Sequence, residues 1–310
     1  MTSPDNKSSG RRTFLKGLGI SVMLPVISGL PESLGQSSSG SPTHRILCCN
    51  IRVALEEDDA KGVGWNDRKQ LCINVIKKRN PDIICLQEVL KVQADDFRAA
   101  FAGHALFGFD GPEMDAHQHG YHGIAKNPIL YSTSRYELLA AGTYWLSETP
   151  LVAGSKSWDT ARARHANWVR LKEKKSGKEL RVINIHLDHV SGKAKIEQAK
   201  MVVEESDQYQ PAFPQIFTGD FNARISSKVF DSLRDKGWKD SYREVHGVEE
   251  PGHTGHAFKG ADYERAALGG KIDFIFTKGP VKATAAEIIK DHEGGRYPSD
   301  HYFVAADVLI

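Results

Sequence analysis

Cysteine is scarce in this chain: Cys48, Cys49, Cys72 and Cys85 are the only four in 310 residues, all inside apolar segments. No Cys-x-x-Cys spacing occurs among them, which argues against a disulfide framework or a thiolate metal site and leaves them as small core residues. Long hydrophobic runs are missing too. The most apolar stretch, residues 17–30, is short, glycine-containing and broken by Pro25, so it does not supply a membrane span. There is no internal repeat and no large charge excess, the formal balance being +2. A partner held by counterion release from many phosphates, such as a long DNA duplex, is therefore not expected. With 40% hydrophobic and 26% charged residues the composition is ordinary, which excludes fibrous and disordered classes and allows a substantial core.

What is present begins with a basic leader. Gly10-Arg11-Arg12-Thr13-Phe14-Leu15-Lys16 precedes the apolar stretch and resembles a twin-arginine export signal, with small residues at Ser33-Leu34-Gly35 for cleavage. The expected organisation is a signal peptide over 1–35, a Ser/Gly-rich linker over 36–43 and one domain over 44–310, working in the periplasm or outside the cell. Losing the leader removes Lys7, Arg11, Arg12 and Lys16 against Asp5 and Glu32, bringing the formal charge to zero. That route carries folded proteins, so a reduced core fits it.

The rest of the chain alternates between strand-like and helix-like segments. A β-prone run over 45–53 leads to a helix whose N-terminus is expected at a capping box of Asp67 and Gln70, with Leu71, Val75 and Ile76 on its apolar face. Asp82 to Leu86 reads as a second buried strand. Further strands are expected over 128–131, 137–146, 166–172, 180–187, 214–218, 271–277, 281–289 and 302–310, with helices over 191–209 and 227–236. This mixture of hairpins and β-α units predicts two packed mixed sheets with helices outside.

Polar residues collect at the ends of these strands: Asn50, Glu88, His186 with Asp188, Asp220 with Asn222, Asp273, and Asp300 with His301. Each alone has an ordinary explanation, since Asp-x-Asn is commonly a turn or a helix cap. Their order and context together are more specific. The segments Cys49-Asn50-Ile51-Arg52, Leu86-Gln87-Glu88-Val89, Asn184-Ile185-His186-Leu187-Asp188-His189, Thr218-Gly219-Asp220-Phe221-Asn222, Lys271-Ile272-Asp273-Phe274-Ile275 and Pro298-Ser299-Asp300-His301 resemble the endonuclease/exonuclease/phosphatase superfamily. Four more stretches, around Trp65 to Arg68, Tyr144 to Pro150, Gly154 to Asp159 and Gly295 to Pro298, resemble a bacterial secreted branch of it.

The resemblance implies a deoxyribonuclease-I-like four-layered α/β sandwich and metal-assisted attack of water on phosphorus. It implies Glu88 as the main ligand of one or two Mg²⁺ (or Mn²⁺) ions, with Asn50 and Asp300 beside it; carboxylate and amide oxygens suit such hard cations. His186, Asp220, Asn222, Asp273 and His301 become the catalytic set. Asp220 and Asn222 would position and activate water, Asp273 would fix the His301 tautomer, and His186 would donate to a phosphoryl oxygen; Asp220 and His301 both stand as candidates for the base. Arg164, Asp188 and His256 are expected to bind substrate, with Thr254 and Phe258 on the pocket wall. Arg162 and His165 are further candidates for a second phosphate or a charged headgroup.

Two features set this chain apart. Many relatives carry an acid just before the strand at 128–131 that orients the histidine matching His186; here Ala125-Lys126-Asn127 stands instead, with Asp188 as a substitute. The segment from Gly108 to His122, holding Asp110, Glu113, Asp115, His117, His119 and His122, is expected to border the active-site mouth, and a transition-metal site there is the alternative. A phosphodiesterase or nuclease acting on a small diester or single-stranded nucleic acid is the first functional reading. A phosphomonoesterase of sugar or inositol phosphates is the second, and a non-catalytic phosphate-binding module the third. Nothing calls for an obligate protein partner.

Overall fold

A computed structural model describes residues 43–117, 119–264 and 270–310. The leader expected over 1–35, and the linker up to residue 42, lie outside the described residues. One six-stranded sheet contains β1 (His44–Asn50), β2 (Ile83–Gln87), β3 (His104–Phe107), β4 (Ile129–Ser132), β11 (Lys282–Ile289) and β12 (Phe303–Leu309), in the order β11-β12-β1-β2-β4-β3. The other has the order β5-β6-β7-β8-β10-β9, from β5 (Tyr136–Trp145), β6 (His165–Glu173), β7 (Glu179–His186), β8 (Gln215–Asp220), β9 (Lys239–Asp240) and β10 (Asp273–Lys278). Both are mixed: β1 runs parallel to β2 and β7 parallel to β8, while the remaining pairs are antiparallel.

Strand alternation builds the layers. Ile46 and Cys48, with Ile83 and Cys85 of the neighbouring β2, point to the opposite sheet, where they meet Val182, Ile216 and Ile275. Leu47, Cys49 and Ile51 point outward and pack under α2 (Trp65–Lys78) and α3 (Lys91–Ala100), against Trp65, Cys72, Ile76 and Phe97. On the far side Ile183, Ile185, Phe217, Phe274 and Phe276 face α5 (Gly192–Ser206) and α6 (Asp231–Asp235) through Val202, Val203 and Leu233. Helix, sheet, sheet and helix follow one another as expected. All four cysteines are free and buried in these cores. No helix among the described residues is long and apolar enough to cross a membrane.

Several local expectations need correction. Helix α2 starts at Trp65 after Gly64, with no side-chain cap; Asp67 lies inside its first turn and Gln70 donates to Asn74 instead of closing a capping box. The helix expected over 227–236 is a 3₁₀ turn, Lys228–Phe230, followed by the short α6. Helix α3, strand β3 and the short helices α1 (Glu56–Asp59), α4 (Pro112–Asp115) and α7 (Ser241–His246) were not expected.

Candidate active site

The second sheet delivers its residues by register. His186 at the end of β7 stands beside Asp220 at the end of β8, and Asp220 stands beside Asp273 at the start of β10. All three share the parity of Val182, Ile216 and Ile275, so they occupy the inter-sheet face where it opens. Gly219 permits the close pairing: a Cβ there would lie 2.4 Å from the Ile185 carbonyl oxygen. The chain then turns back at Asn222, whose φ is 47° and whose N–H donates to Asp220 Oδ1 at 2.8 Å. Asn222 Nδ2 donates to Leu187 O at 3.1 Å and to His186 Nε2 at 3.0 Å. His186 is therefore an acceptor there, and burial with the nearby Arg164 charge pushes its pKa well below the usual range. A phosphoryl-donor role for His186 is not what this geometry offers; it braces Asn222 and stands 3.4 Å from Asp220 Oδ2.

The first sheet delivers its residues through turns. Asn50 has the inter-sheet parity of Ile46 and Cys48, but Glu88 follows Ile84 and Leu86, which face the helices. A left-handed backbone at Glu88, φ 66°, breaks that alternation and swings its carboxylate toward Asn50. Asn50 Nδ2 bridges Glu88 Oε1 and Asp220 Oδ2, at 3.0 Å each, and so joins the two sheets. Val53 N–H holds Glu88 Oε2 at 2.9 Å. His301 makes the second crossing: Nδ1 lies 2.9 Å from Asp273 Oδ2, and Nε2 lies 4.0 Å from Asp220 Oδ2. Asp300 has Arg52 at 3.7 Å.

The charges do not balance comfortably. Burial, with the Asp273 charge, raises Asp220 to about 7. Burial also raises Asp300, and the Glu88 charge adds to it. Burial would raise Glu88 as well, but hydrogen bonds from Asn50 and Val53 and the charges of His301 and Arg52 outweigh it and hold the carboxyl below its usual value. His301 is driven down by burial and up, more strongly, by Asp273, Asp220 and Asp300, leaving it well above an ordinary histidine. Glu88, His186 and Asp220 bring ligand atoms within 4.8 Å of one another, as do Asp220, Asp273 and His301. Such an oxygen-rich, anion-heavy set fits a divalent cation. Asp300 belongs to neither group but lines the same cleft.

That cleft, about 310 Å³, is walled by Arg52, Arg162, Arg164, Tyr121 and His189 over the acid cluster. Arg164 faces it as expected, with His189 Nδ1 at 3.4 Å, and Arg162 lies 5.3 Å from the centre of the Tyr121 ring. Among the described residues neither guanidinium has a carboxylate partner. Tyr121 and Gly123 bring the unusual loop to the cleft mouth. Its histidines form no metal group among the described residues: His117 and His122 stack at 4.3 Å, and His122 Nε2 bonds His119 O. Lys126 forms a buried ion pair with Glu113 and so ties the loop down.

Five residues expected at the substrate lie elsewhere. Asp188 is fully buried and its carboxylate accepts from four backbone N–H groups, of Ala161, Arg162, Val190 and Ser191, so it neither meets the cleft nor orients His186. His256 is buried, its backbone N–H donating to Asp300 O at 2.7 Å and its ring tilted against Tyr297 and Tyr302, while Thr254 Oγ1 accepts from Ile272 and Asp273 N–H. Phe258 packs near Arg68, and His165 is buried beside Trp145. Sequence reasoning missed Arg52, Tyr121 and Arg68. A signal for the last was available: Arg68 shares a helix face with Leu71, Cys72 and Val75, where a charge is out of place.

The model of the Endonuclease/Exonuclease/phosphatase family matches residues 47–301. The chain belongs to this family. Its sandwich is the deoxyribonuclease-I-like fold, and it is similar to a solved endonuclease/exonuclease/phosphatase from Bacteroides vulgatus, 29% identical, TM-score 0.75, covering 86% of this chain and 99% of that one. A mannosyl-6-phosphatase from Bacteroides thetaiotaomicron VPI-5482 is 27% identical, with TM-score 0.75 and coverage of 86% and 100%. Drosophila melanogaster nocturnin is 25% identical over 177 residues, 54% of this chain, and the match spans about a quarter (26%) of nocturnin's length. Homologues in the family hydrolyse phosphoester bonds and are generally dependent on a divalent metal.

Proposed function

We propose that this chain is a divalent-metal-dependent hydrolase of phosphomonoesters of small polar alcohols, with sugar phosphates as the main class. The observation that carries this reading is one cleft of about 310 Å³ in which Arg162 and Arg164, neither paired with a carboxylate among the described residues, overlook the Glu88, Asp220 and His301 cluster. Its size suits a phosphorylated monosaccharide, and unpaired guanidinium groups suit a terminal phosphate, which carries more charge than a diester. On sequence a diester or nuclease substrate stood first; likeness to mannosyl-6-phosphatase along nearly its whole length supports moving a monoester ahead of it. A merely phosphate-binding module would have no use for the complete acid and base set.

Asp220, poised near neutrality, takes the proton from the attacking water. His301, kept protonated by Asp273, donates from Nε2 to a phosphoryl oxygen as charge grows there. Arg164 binds a non-bridging oxygen, and Asn222 holds His186 and the Asp220 turn in place. Glu88, with Asn50 and Asp300 beside it, would hold the cation. What Mg²⁺ or Mn²⁺ supplies when bound is polarisation of the phosphoryl group and relief of charge on the leaving oxygen. The paired Arg11-Arg12 before an apolar stretch supports export by the twin-arginine route, with 44–310 as the working domain of a secreted, periplasmic or extracellular enzyme. Fractionating cells that express the wild type or an Arg11→Lys, Arg12→Lys variant tests this; equal export of both refutes it.

The test of activity is phosphate release from sugar phosphates, inositol phosphates, model diesters and single-stranded oligonucleotides, with Mg²⁺, Mn²⁺ or chelator. Sugar phosphates should turn over fastest and chelator should stop them. Preferential cleavage of diesters or oligonucleotides would restore the diester reading.

A further inference from the structure

Arg68 is a buried charge that the proposed chemistry does not use. It is 3% exposed on the inner face of α2, with no carboxylate partner among the described residues. Every hydrogen bond from its guanidinium goes to a backbone carbonyl: Nε to Val63 O at 3.0 Å, Nη1 to Ile51 O and to Pro298 O at 3.1 Å, and Nη2 to Arg52 O at 2.7 Å. Its plane rests near Trp65 and Phe258, 5.1 and 5.7 Å from the ring centres. Burying an arginine without a counter-ion is expensive, and few side chains carry enough donors to span three segments.

Those segments are not arbitrary. Ile51 and Arg52 follow Asn50, and Arg52 N–H in turn donates to Asn50 Oδ1 at 3.0 Å. The next residue, Val53, holds Glu88. Pro298 comes two residues before Asp300, and Ser299 Oγ donates to Asn50 O at 2.7 Å, tying the same loop to the same strand end. The left-handed Arg52 is thus held directly by the clamp, and the left-handed Glu88 is linked to it through Val53. We propose that Arg68 is a positioning residue of the metal site, fixing the Asn50–Val53 turn against the Pro298–Asp300 loop so that Asn50, Glu88 and Asp300 face one point. The inference rests on reading those three as the residues that hold the cation.

The test is calorimetric Mn²⁺ binding by the full chain, with melting temperature in chelator, for the wild type and Arg68→Lys, Ser299→Ala and Leu233→Ala. Leu233 is buried on the far side of the second sheet and serves as a purely structural control. Arg68→Lys should weaken Mn²⁺ binding about tenfold or more, the usual range for outer support of a metal site. Ser299→Ala should weaken it by less, and Leu233→Ala should lower the melting temperature while leaving affinity within about twofold. Wild-type affinity in both Arg68→Lys and Ser299→Ala, or a loss no larger than in Leu233→Ala, overturns the proposal. If Arg68→Lys does not fold, Ser299→Ala decides alone. A wild type that binds no Mn²⁺ overturns the metal reading and this proposal together.

Discussion

The two sheets build their halves of the cleft by different means. In the second sheet the backbone does the placing: His186, Asp220 and Asp273 are neighbours in one ladder, so strand register alone brings them together. In the first sheet, side chains do it. Asn50 and Glu88 sit on or beside parallel neighbours, yet the carboxylate reaches the cleft only through a left-handed residue, and Arg68, Ser299 and Val53 hold the turns. Left-handed conformations cost on the order of 1–3 kcal/mol each for such residues. A half built on register should be robust; a half built on strained turns should be tunable and easily loosened.

Four experiments would break or sharpen that contrast. The largest effect is expected at the crossing points: Asp220→Ala and His301→Ala should each cut turnover by about 10³-fold or more, with little change in melting temperature in chelator. Near-normal turnover in either would remove that residue from the chemistry. Next, Glu88→Gln should weaken Mn²⁺ binding by about 100-fold, measured by calorimetry; unchanged affinity would leave the cation to the second sheet alone. A smaller effect belongs to the loop that only borders the site. Tyr121→Ala should raise KM for a sugar phosphate by about tenfold against p-nitrophenyl phosphate, with kcat within about threefold, and equal losses on both substrates would deny the loop a part in selection.

The smallest effect separates site from scaffold, at the opposite end of β1. His44, bonded to Tyr136 at 2.6 Å, is lowered to about 4 by burial and then by Arg135. Its folded form resists a proton that the unfolded chain accepts below about pH 6.5, so stability should be complete above that value and fall as pH drops toward 4. Melting curves of wild type and His44→Gln from pH 7 to pH 4 should diverge by a few degrees, on the order expected for one linked group. Parallel curves would show that His44 does not contribute.

What was readable in the sequence follows the same division. Strand ends with apolar parity, Asn184 to Asp188 and Thr218 to Asn222, announce the register-built half, because period two and a terminal polar residue survive in sequence. The turn-built half was only partly legible. Asn50 and Glu88 stood out as polar strand ends and took their roles from resemblance, while the backbone inversion at Glu88 depends on Asn50 and Val53 on another segment and the clamp at Arg68 reaches Pro298, 230 positions away. Asp188 and His256 failed for the opposite reason: a polar residue beside a site looks the same in sequence whether it meets the substrate or holds backbone N–H groups behind it. The buried Glu113–Lys126 pair, which anchors the segment leading to β4, was illegible for the same reason: neither charge shows in sequence whether it faces water or a buried partner.

The central claim is that the two differently built halves make one working site, the cation held from the first sheet and the base Asp220 supplied by the second. A double-mutant cycle on kcat/KM for a sugar phosphate with Glu88→Gln, Asp220→Asn and both together tests it directly, since residues acting as one unit are strongly non-additive. The account predicts that either single change removes nearly as much activity as the pair. Losses that simply add would contradict it, leaving each sheet with a site of its own.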